Sequence, residues 1–144
     1  MEKFVQFSIS EKGENSGRDY SGVFKVKTLL TRSDMFLSDQ RRRDILGPNG
    51  ETALDALKAE AFMLGQLYVR IVEAPKFWSE SNFGLELEDV NVISALFSKC
   101  MEIENERKTG LSKKADEAKQ SLIKKDETKE EQGIPNLRKL ANSI

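Results

Sequence analysis

The sequence predicts an α+β fold that is mainly helical, in which an N-terminal antiparallel β-hairpin lies on a three-helix core and a charged C-terminal extension follows. Apolar and polar residues alternate in two early segments, which is the period of a half-buried strand. Later apolar residues recur every three or four positions, as in amphipathic helices. Charged residues dominate the last third. We therefore expect a globular domain over residues 1–106 and an extension over residues 107–144.

The predicted hairpin has two strands, one from Val5 to Ile9 and one from Tyr20 to Val26. The segment between them is rich in Gly, Asn, Ser and charge, which predicts a long, mobile loop. An isolated hairpin is marginally stable, so it must pack on the helices or extend another sheet. Because exposed strand edges recruit partner strands, we predict that Phe24 and Val26 contact a partner protein.

Three helices are predicted after the hairpin. The first is capped by Thr31 or Ser33 and ends at Gly47. The second begins near Thr52, with a start typical of a capping box, and continues to a proline at position 75. The third begins after an N-cap at Asp89. The apolar stripes predicted to be buried are Leu54, Leu57, Ala61, Leu64, Tyr68 and Ile71 on the second helix, and Ile93, Leu96, Cys100 and Ile103 on the third.

The composition of the chain limits the classes of function that it can have. The formal net charge of −1 over 144 residues argues against nucleic acid as the main partner, because such proteins carry a surplus of Lys and Arg. The chain has no His, so catalytic triads of the Ser-His-Asp or Cys-His type are excluded within it. No phosphate-binding glycine motif occurs. We therefore predict a non-enzymatic protein with no cofactor.

The sequence also indicates the cellular compartment in which the protein is expected. No run of 18 apolar residues is present, so no transmembrane span and no membrane partner are expected. The first ten residues carry charges and alternate in polarity, unlike a signal peptide. The lone Cys100 cannot form an intrachain disulfide, which fits a reducing compartment. A cytoplasmic protein, or one carried in a particle assembled in a cytoplasm, is predicted.

Three consecutive arginines, Arg41, Arg42 and Arg43, suggest a phosphate-binding patch. Asp39 and Asp44 lie three or four positions away, however, which is the spacing of helical ion pairs. We favour a solvated or partner-facing helix here, with nucleic-acid contact as the alternative.

Two other groups of residues could carry chemistry. Glu86, Glu88, Asp89 and Asn91 offer oxygen ligands, but they lack the spacing of a calcium loop, so we predict helix capping and no metal site. Cys100 lies on an apolar helical stripe, where a free cysteine is commonly a small buried hydrophobe. No catalytic residue is predicted.

The segment between the second and third helices carries Phe77, Trp78 and Phe83. Aromatic residues bury large areas and are enriched at interface hot spots. Two interpretations stay open, since these side chains can complete the core or contact a partner. Trp78 is the residue that we expect to do both.

The charged extension is compatible with a solvated helix or with a disordered linker. It ends in an apolar group, Leu137, Leu140 and Ile144, which we interpret as a tethered docking peptide.

The runs SGVFKVKTLLT and LYVRIVEAPKFWSESNFGLELEDVNVI resemble small proteins of tailed-bacteriophage structural gene clusters, in particular the tail assembly chaperone type. The likeness covers roughly Tyr20 to Ile103. It includes the patterns G-x-F-x-V-K in the second strand and G-x-x-L-x-D-x-N-V at the start of the third helix.

The resemblance implies a helical protein that acts in the host cytoplasm during virion assembly or remains in the virion. Its partners would be other phage structural proteins of the tail or capsid, such as an aggregation-prone tape measure. Self-association into a homo-oligomer is compatible with this role. The alternative function is a small regulatory or nucleic-acid-associated protein that uses the Arg41–Arg43 helix.

Overall fold

The computed structural model describes the backbone of residues 2–131 and the side chains of residues 2–122. It confirms the α+β, mainly helical fold, with an N-terminal antiparallel sheet followed by helices. The elements in chain order are β1 (Phe4–Lys12), β2 (Asp19–Lys27), α1 (Arg32–Leu46), a 3-10 turn (Gly50–Thr52), α2 (Asp55–Arg70), β3 (Ile71–Glu73), α3 (Lys76–Glu80) and α4 (Val90–Glu131).

The predicted hairpin is confirmed as β1 and β2, which pair antiparallel with Phe7 opposite Phe24. The alternation seen in the sequence directs Val5, Phe7 and Ile9 of β1 toward the core. The rings of Phe7 and Phe24 stack with their centroids 5.9 Å apart.

A third strand, β3, corrects the predicted hairpin edge. Ile71 and Glu73 pair with Val26 and Lys25, so β2 is the central strand of the order β1-β2-β3. The second predicted helix accordingly ends at Arg70 rather than at Pro75. Two consecutive β-branched residues follow Arg70, and such side chains favour the extended backbone that the sheet requires.

The capping signals in the sequence predicted the ends of α1 correctly but not the start of α2. Thr31 caps α1 with a capping box to Asp34, and Gly47 ends the helix in a positive-φ conformation, as predicted. The capping box predicted at Thr52 is wrong. Thr52 lies in the 3-10 turn and its hydroxyl donates to the Asn49 carbonyl, so α2 begins only at Asp55.

The core lies between the sheet and the helices, and α4 supplies much of it. The apolar stripe predicted for the third helix is buried as expected, whereas on α2 only part of the predicted stripe is buried, because Leu54, Leu57 and Tyr68 are exposed. The buried cluster comprises Tyr20, Phe24, Val26, Leu64, Leu67, Trp78, Val92, Ile93, Leu96, Cys100 and Ile103.

The charged extension, for which helix and disorder were both left open, continues α4 as helix to Glu131. The chain divides into two units, Met1–Arg107 and Lys108–Ile144, at a point next to the predicted boundary. None of the described helices is both long and apolar enough to cross a membrane. The predicted docking peptide of Leu137, Leu140 and Ile144 lies outside the described residues.

Candidate protein-interaction surface

The first turns of α1 place three consecutive large apolar residues toward solvent and two polar residues toward the protein. Met35, Phe36 and Leu37 are 58%, 71% and 57% exposed, whereas Asp34 and Ser38 are only 7% and 3% exposed. Buried polar residues and large exposed apolar ones are the two departures from ordinary burial that carry information. The first turns of α1 therefore form an apolar surface, Met35–Leu37, which we call the apolar turn.

The inward position of Asp34 is stabilised by specific bonds. Lys27 Nζ lies 2.7 Å from Asp34 Oδ1, and the Thr31 N–H donates to Asp34 Oδ2 at 2.9 Å. Burial raises the pKa of Asp34, but the bonds from Lys27 and Thr31 outweigh it and hold the pKa below its ordinary value. Asp34 thus joins the start of α1 to the end of β2 as a carboxylate.

Ser38 faces inward because α1 and α2 approach closely at Gly65. A Cβ added at Gly65 would lie 2.5 Å from the Ser38 carbonyl oxygen. The Ser38 hydroxyl oxygen accepts a hydrogen bond from Gln66 Nε2, and Gln66 Oε1 accepts one from Arg70 Nε. Small and polar side chains occupy this crossing, so Met35, Phe36 and Leu37 are left on the outer side of α1.

An aromatic and arginine cluster lies beside the apolar turn. The Arg41 guanidinium lies over the Tyr68 ring, 4.9 Å from its centroid, and the Phe83 ring meets Tyr68 edge to face at 5.2 Å. Tyr68 and Phe83 remain 41% and 39% exposed. Leu37 is four residues before Arg41, so the two side chains are neighbours on one helical face. We call Arg41, Tyr68 and Phe83 the Arg–aromatic cluster.

Phe83 reaches this position through an unusual backbone. Asn82 and Phe83 both have φ of 54°, in the left-handed region that bulky residues rarely adopt. The next residue, Gly84, also has positive φ, and a Cβ there would lie 2.6 Å from the Trp78 ring. The Arg41 Nη2 donates to the Asn82 carbonyl at 3.2 Å. The loop is thus held in a strained conformation that directs Phe83 outward, and such strain is frequent at functional sites.

The other predicted aromatic contacts lie beneath this surface. Trp78 is 2% exposed and Phe24 is fully buried, and their rings meet edge to face at 6.3 Å. Phe77 is half-buried against Tyr20 and Phe24. Of the three aromatic residues in the segment, the structure places Trp78 in the core and Phe83 on the surface.

For Phe24 and Val26 the structure corrects the predicted position. Both side chains are fully buried in the core, and the edge of β2 beside Val26 is taken by β3. The alternation placed them on the apolar face of a strand, and that face packs against the helices. Neither side chain is on the surface where a partner would meet it.

The three arginines divide between two environments. Arg42 and Arg43 both pair with Asp39, at 2.8 and 3.3 Å, while Arg41 belongs to the Arg–aromatic cluster. Arg42 and Arg43 also line an open cleft of about 520 Å³ between the ends of α1 and α2, which includes Glu51. The helical ion pairing predicted from the sequence is therefore present at Asp39, whereas Asp44 accepts from Gln40.

Asp89 directly precedes α4, where the helix start was predicted, but its side chain bonds to the segment around the β1–β2 loop instead of capping the helix. Its carboxylate is fully buried and accepts hydrogen bonds from the backbone N–H groups of Asn15 and Ser16, at 2.8 and 2.9 Å, and from the Tyr20 hydroxyl at 2.7 Å. The Ser16 hydroxyl also donates to it. The β1–β2 loop, predicted to be mobile, is thus fastened to the start of α4. Among the side chains that the structure describes, no three His, Cys, Asp or Glu residues cluster closely enough to hold a metal ion.

Cys100 lies beside a buried ion pair. Arg70 Nη2 is 3.2 Å from Glu104 Oε1, and both side chains are buried. Burial raises the pKa of the Cys100 thiol to about 11, although the nearby Arg70 opposes the rise. The interpretation of Cys100 as a small buried hydrophobe is confirmed, and its thiol stays protonated at neutral pH.

Neither the apolar turn nor the surface position of Tyr68 was predicted from the sequence. A local signal for the apolar turn was present. Three consecutive large apolar residues, Met35, Phe36 and Leu37, span roughly 200° of a helix, more than one neighbouring helix can cover. Tyr68 carried no such signal, because its spacing fits the buried stripe of α2.

Comparison of the chain with protein-family models, with curated proteins and with solved structures found no match. The surface is therefore interpreted from its own geometry.

Proposed function

We propose that the chain is a non-enzymatic protein–protein interaction module. It binds its partner through the apolar turn and the adjoining Arg–aromatic cluster. The observation that carries this proposal is the reversed polarity of the first turns of α1, in which Met35, Phe36 and Leu37 face solvent while Asp34 and Ser38 are buried. A contiguous exposed apolar surface of this kind marks an interaction site in a soluble domain.

The composition of the surface suits binding. Tyr and Arg are enriched among residues that dominate binding energy, and they act best inside a ring of contacts that exclude water. Arg41 and Tyr68 are already held against each other, so little side-chain freedom would be lost when a partner covers them. The apolar turn would supply the buried area, and the Arg–aromatic cluster would supply orientation.

The buried ionisable groups support a binding role over a catalytic one. Asp89 is saturated by hydrogen bonds from the β1–β2 loop, Asp34 joins Lys27, and Arg70 joins Glu104. Each of these groups serves a contact inside the molecule. Met35, Phe36 and Leu37 of α1, by contrast, are each more than half exposed in the part of the chain that the structure describes.

The class of partner rests on the resemblance to phage tail assembly chaperones. We propose that the partner is a phage structural protein of the tail or capsid, bound during virion assembly in the host cytoplasm. An aggregation-prone partner exposes apolar segments, and these would fit the apolar turn. In this proposal the module covers such a segment until assembly.

The test is affinity capture of the full chain from phage-infected cells, followed by cross-linking mass spectrometry. We expect tail or capsid proteins to be captured, with cross-links that map to α1 and to the loop at Asn82. The double variant Phe36→Ser/Leu37→Ser should lose capture while keeping its circular dichroism spectrum, because both side chains are exposed.

Leu54→Ser is the matched control, since Leu54 is 73% exposed but lies before the start of α2, outside the proposed surface. Capture that survives Phe36→Ser/Leu37→Ser, or that is lost equally in Leu54→Ser, would contradict the proposed surface. Capture of host proteins in place of phage proteins would contradict the proposed partner.

A further inference from the structure

Strand β1 leaves a long sheet edge open. It is nine residues long and pairs only with β2 among the residues that the structure describes. Its middle part, Phe4–Ser10, contains no charge and no proline. Natural proteins usually protect a sheet edge with charged residues or proline, because unpaired backbone groups attract another strand. The edge of β1 lacks that protection between its two ends.

The direction of the backbone groups along this edge follows from two hydrogen bonds. The Lys3 carbonyl accepts from the Thr28 N–H, and the Gly13 N–H donates to the Arg18 carbonyl, so both residues direct these groups toward β2. Antiparallel pairing alternates along a strand, so the odd-numbered residues between them also face β2. The even-numbered residues, from Phe4 to Ser10, therefore direct their N–H and C=O groups outward.

Both ends of the edge are already occupied. The Glu2 carbonyl accepts a hydrogen bond from Arg107 Nη1, and the Lys12 carbonyl accepts one from Asn91 Nδ2. An added strand is thus limited to the stretch Phe4–Ser10, whose polar side chains at Gln6, Ser8 and Ser10 are exposed.

The sequence of β1 is complementary to itself in one antiparallel register. With Phe7 opposite its own copy, Lys3 lies opposite Glu11 and Val5 lies opposite Ile9. Glu2 and Lys12 face each other just beyond. None of these four charged side chains forms an ion pair within the described part of the chain. Two other registers also keep the apolar faces of the two strands aligned. With Gln6 opposite its own copy, Lys3 would face Ile9, and with Ser8 opposite its own copy, Glu11 would face Val5.

From this pattern we propose that two copies of the chain pair through β1, antiparallel about Phe7, and form one continuous six-stranded sheet. Gln6 would exchange backbone hydrogen bonds with Ser8 of the second copy, and Phe4 would do so with Ser10. A two-fold interface requires a surface complementary to itself, and the charge order of β1 meets that condition. This interface is separate from the apolar turn, so it goes beyond the proposed function.

The first test is sedimentation velocity of the full chain and of charge variants. We expect a dimer for the native chain. Lys3→Glu or Glu11→Lys alone should raise the dissociation constant about tenfold, because like charges then face each other at two symmetric positions. The double variant Lys3→Glu/Glu11→Lys should restore the native value, since its charges are exchanged and still opposite.

Proline substitution tests the edge itself. Ser8→Pro removes an outward N–H and leaves the bonds to β2 in place, so it should give a monomer with an unchanged circular dichroism spectrum. A mixture of Gln6→Cys and Ser8→Cys chains should cross-link under oxidation far more than either variant by itself, because only the mixture places two thiols opposite each other.

Three results would overturn the proposal. The first is a native chain that stays monomeric at about 100 μM, well above the dissociation constants typical of specific complexes. The second is a Ser8→Pro variant that still dimerises. The third is a charge-exchanged double variant that dimerises as weakly as the single variants. The two interfaces can be distinguished with the variant Phe36→Ser/Leu37→Ser. If it loses partner capture but still dimerises, the β1 interface is independent of the surface in the proposed function.

Discussion

At the residue scale, Asp89 organises more of the molecule than any motif in the sequence suggested. Its buried carboxylate receives two backbone N–H groups and two hydroxyls, all from the segment between Asn15 and Tyr20. Gly13 is also needed there, because a Cβ at that position would lie 2.3 Å from the carboxylate. One side chain thus ties the β1–β2 loop to the first turn of α4.

The hydroxyl of Tyr20 provides a test of this arrangement. Tyr20→Phe removes the 2.7 Å hydrogen bond to Asp89 while keeping the buried ring, and we expect the free energy of unfolding to fall by about 1–2 kcal/mol. Tyr68→Phe is the matched control, since Tyr68 is exposed and acts through its ring. Urea unfolding followed by circular dichroism measures both. Equal losses in the two variants would argue against a specific role for Asp89.

Asp89 also predicts a dependence of stability on pH. The hydrogen bond from Ser16 is the main cause that lowers the pKa of Asp89 below its ordinary value of 3.8, against the opposing effect of burial. A carboxyl with a lowered pKa in the folded state adds stability above its unfolded pKa, and this stability is lost as pH falls toward the folded pKa. Unfolding free energy should therefore decrease from about pH 4 downward.

The matched comparison is Asp89→Asn, whose urea-unfolding profile should be flatter over the same acid range because that ionisation is absent. A smaller acid dependence from Asp34 remains in the variant, since the pKa of Asp34 is also lowered. Identical slopes for the native chain and Asp89→Asn would contradict the assignment.

At the element scale, the crossing of α1 and α2 explains why the first turns of α1 are reversed in polarity. Gly65 lets the Ser38 backbone approach so closely that no large side chain fits between the helices. Met35, Phe36 and Leu37 are therefore placed outside by the geometry of the crossing, and they are available for a partner, whereas Ile45 near the end of α1 packs against the core.

Substitution of Gly65 tests the crossing. Gly65→Ala should lower the free energy of unfolding by about 1–3 kcal/mol, because the added methyl group lies 2.5 Å from a backbone oxygen and forces the helices apart. In open helix the same change is stabilising by about 0.5–1 kcal/mol. Gly110→Ala is the control and should be nearly neutral, because Gly110 lies on α4 beyond Arg107 and the added Cβ would meet no described atom within 4 Å apart from its chain neighbours and its own helix backbone. A stabilised Gly65→Ala variant would show that the crossing is loosely packed.

At the scale of the whole molecule, the core that the structure describes ends before the charged part of α4. Among the described side chains, Ile103 is the last residue of the buried cluster, and Arg107 donates to the Glu2 carbonyl and to the Thr28 hydroxyl at 2.8 and 2.6 Å. These contacts belong to the unit Met1–Arg107. We therefore expect that unit to fold without the charged part of α4.

Truncation tests this division. A chain that ends after Lys108 should unfold within about 0.5 kcal/mol of the full chain, with a smaller helical signal because residues 109–131 of α4 are gone. A chain that ends after Glu102 should unfold far more readily, since it also loses Ile103, Glu104 and Arg107. Calorimetry with circular dichroism measures both. A large loss on the first truncation would mean that the core depends on the extension.

Much of the fold could be predicted from local patterns. The alternation in β1 and β2, the cap at Thr31, the stop at Gly47 and the buried stripe of α4 all follow from residues close together in the chain. Such signals act over a few residues, so the sequence carries them directly. The arginine pairing with Asp39 was predictable for the same reason.

The candidate surface depended on contacts between distant residues. Nothing near Asp89 indicates that a loop more than 70 positions earlier binds its carboxylate, and nothing near Ile71 indicates that it pairs with Val26. Phe83 and Trp78 are both aromatic residues of the same segment, and only tertiary packing, such as that of Trp78 against Phe24 and Gly84, separates the buried ring from the exposed one. Local periodicity determines which elements form, whereas the close approach of α1 to α2 decides which of their faces remains open to a partner.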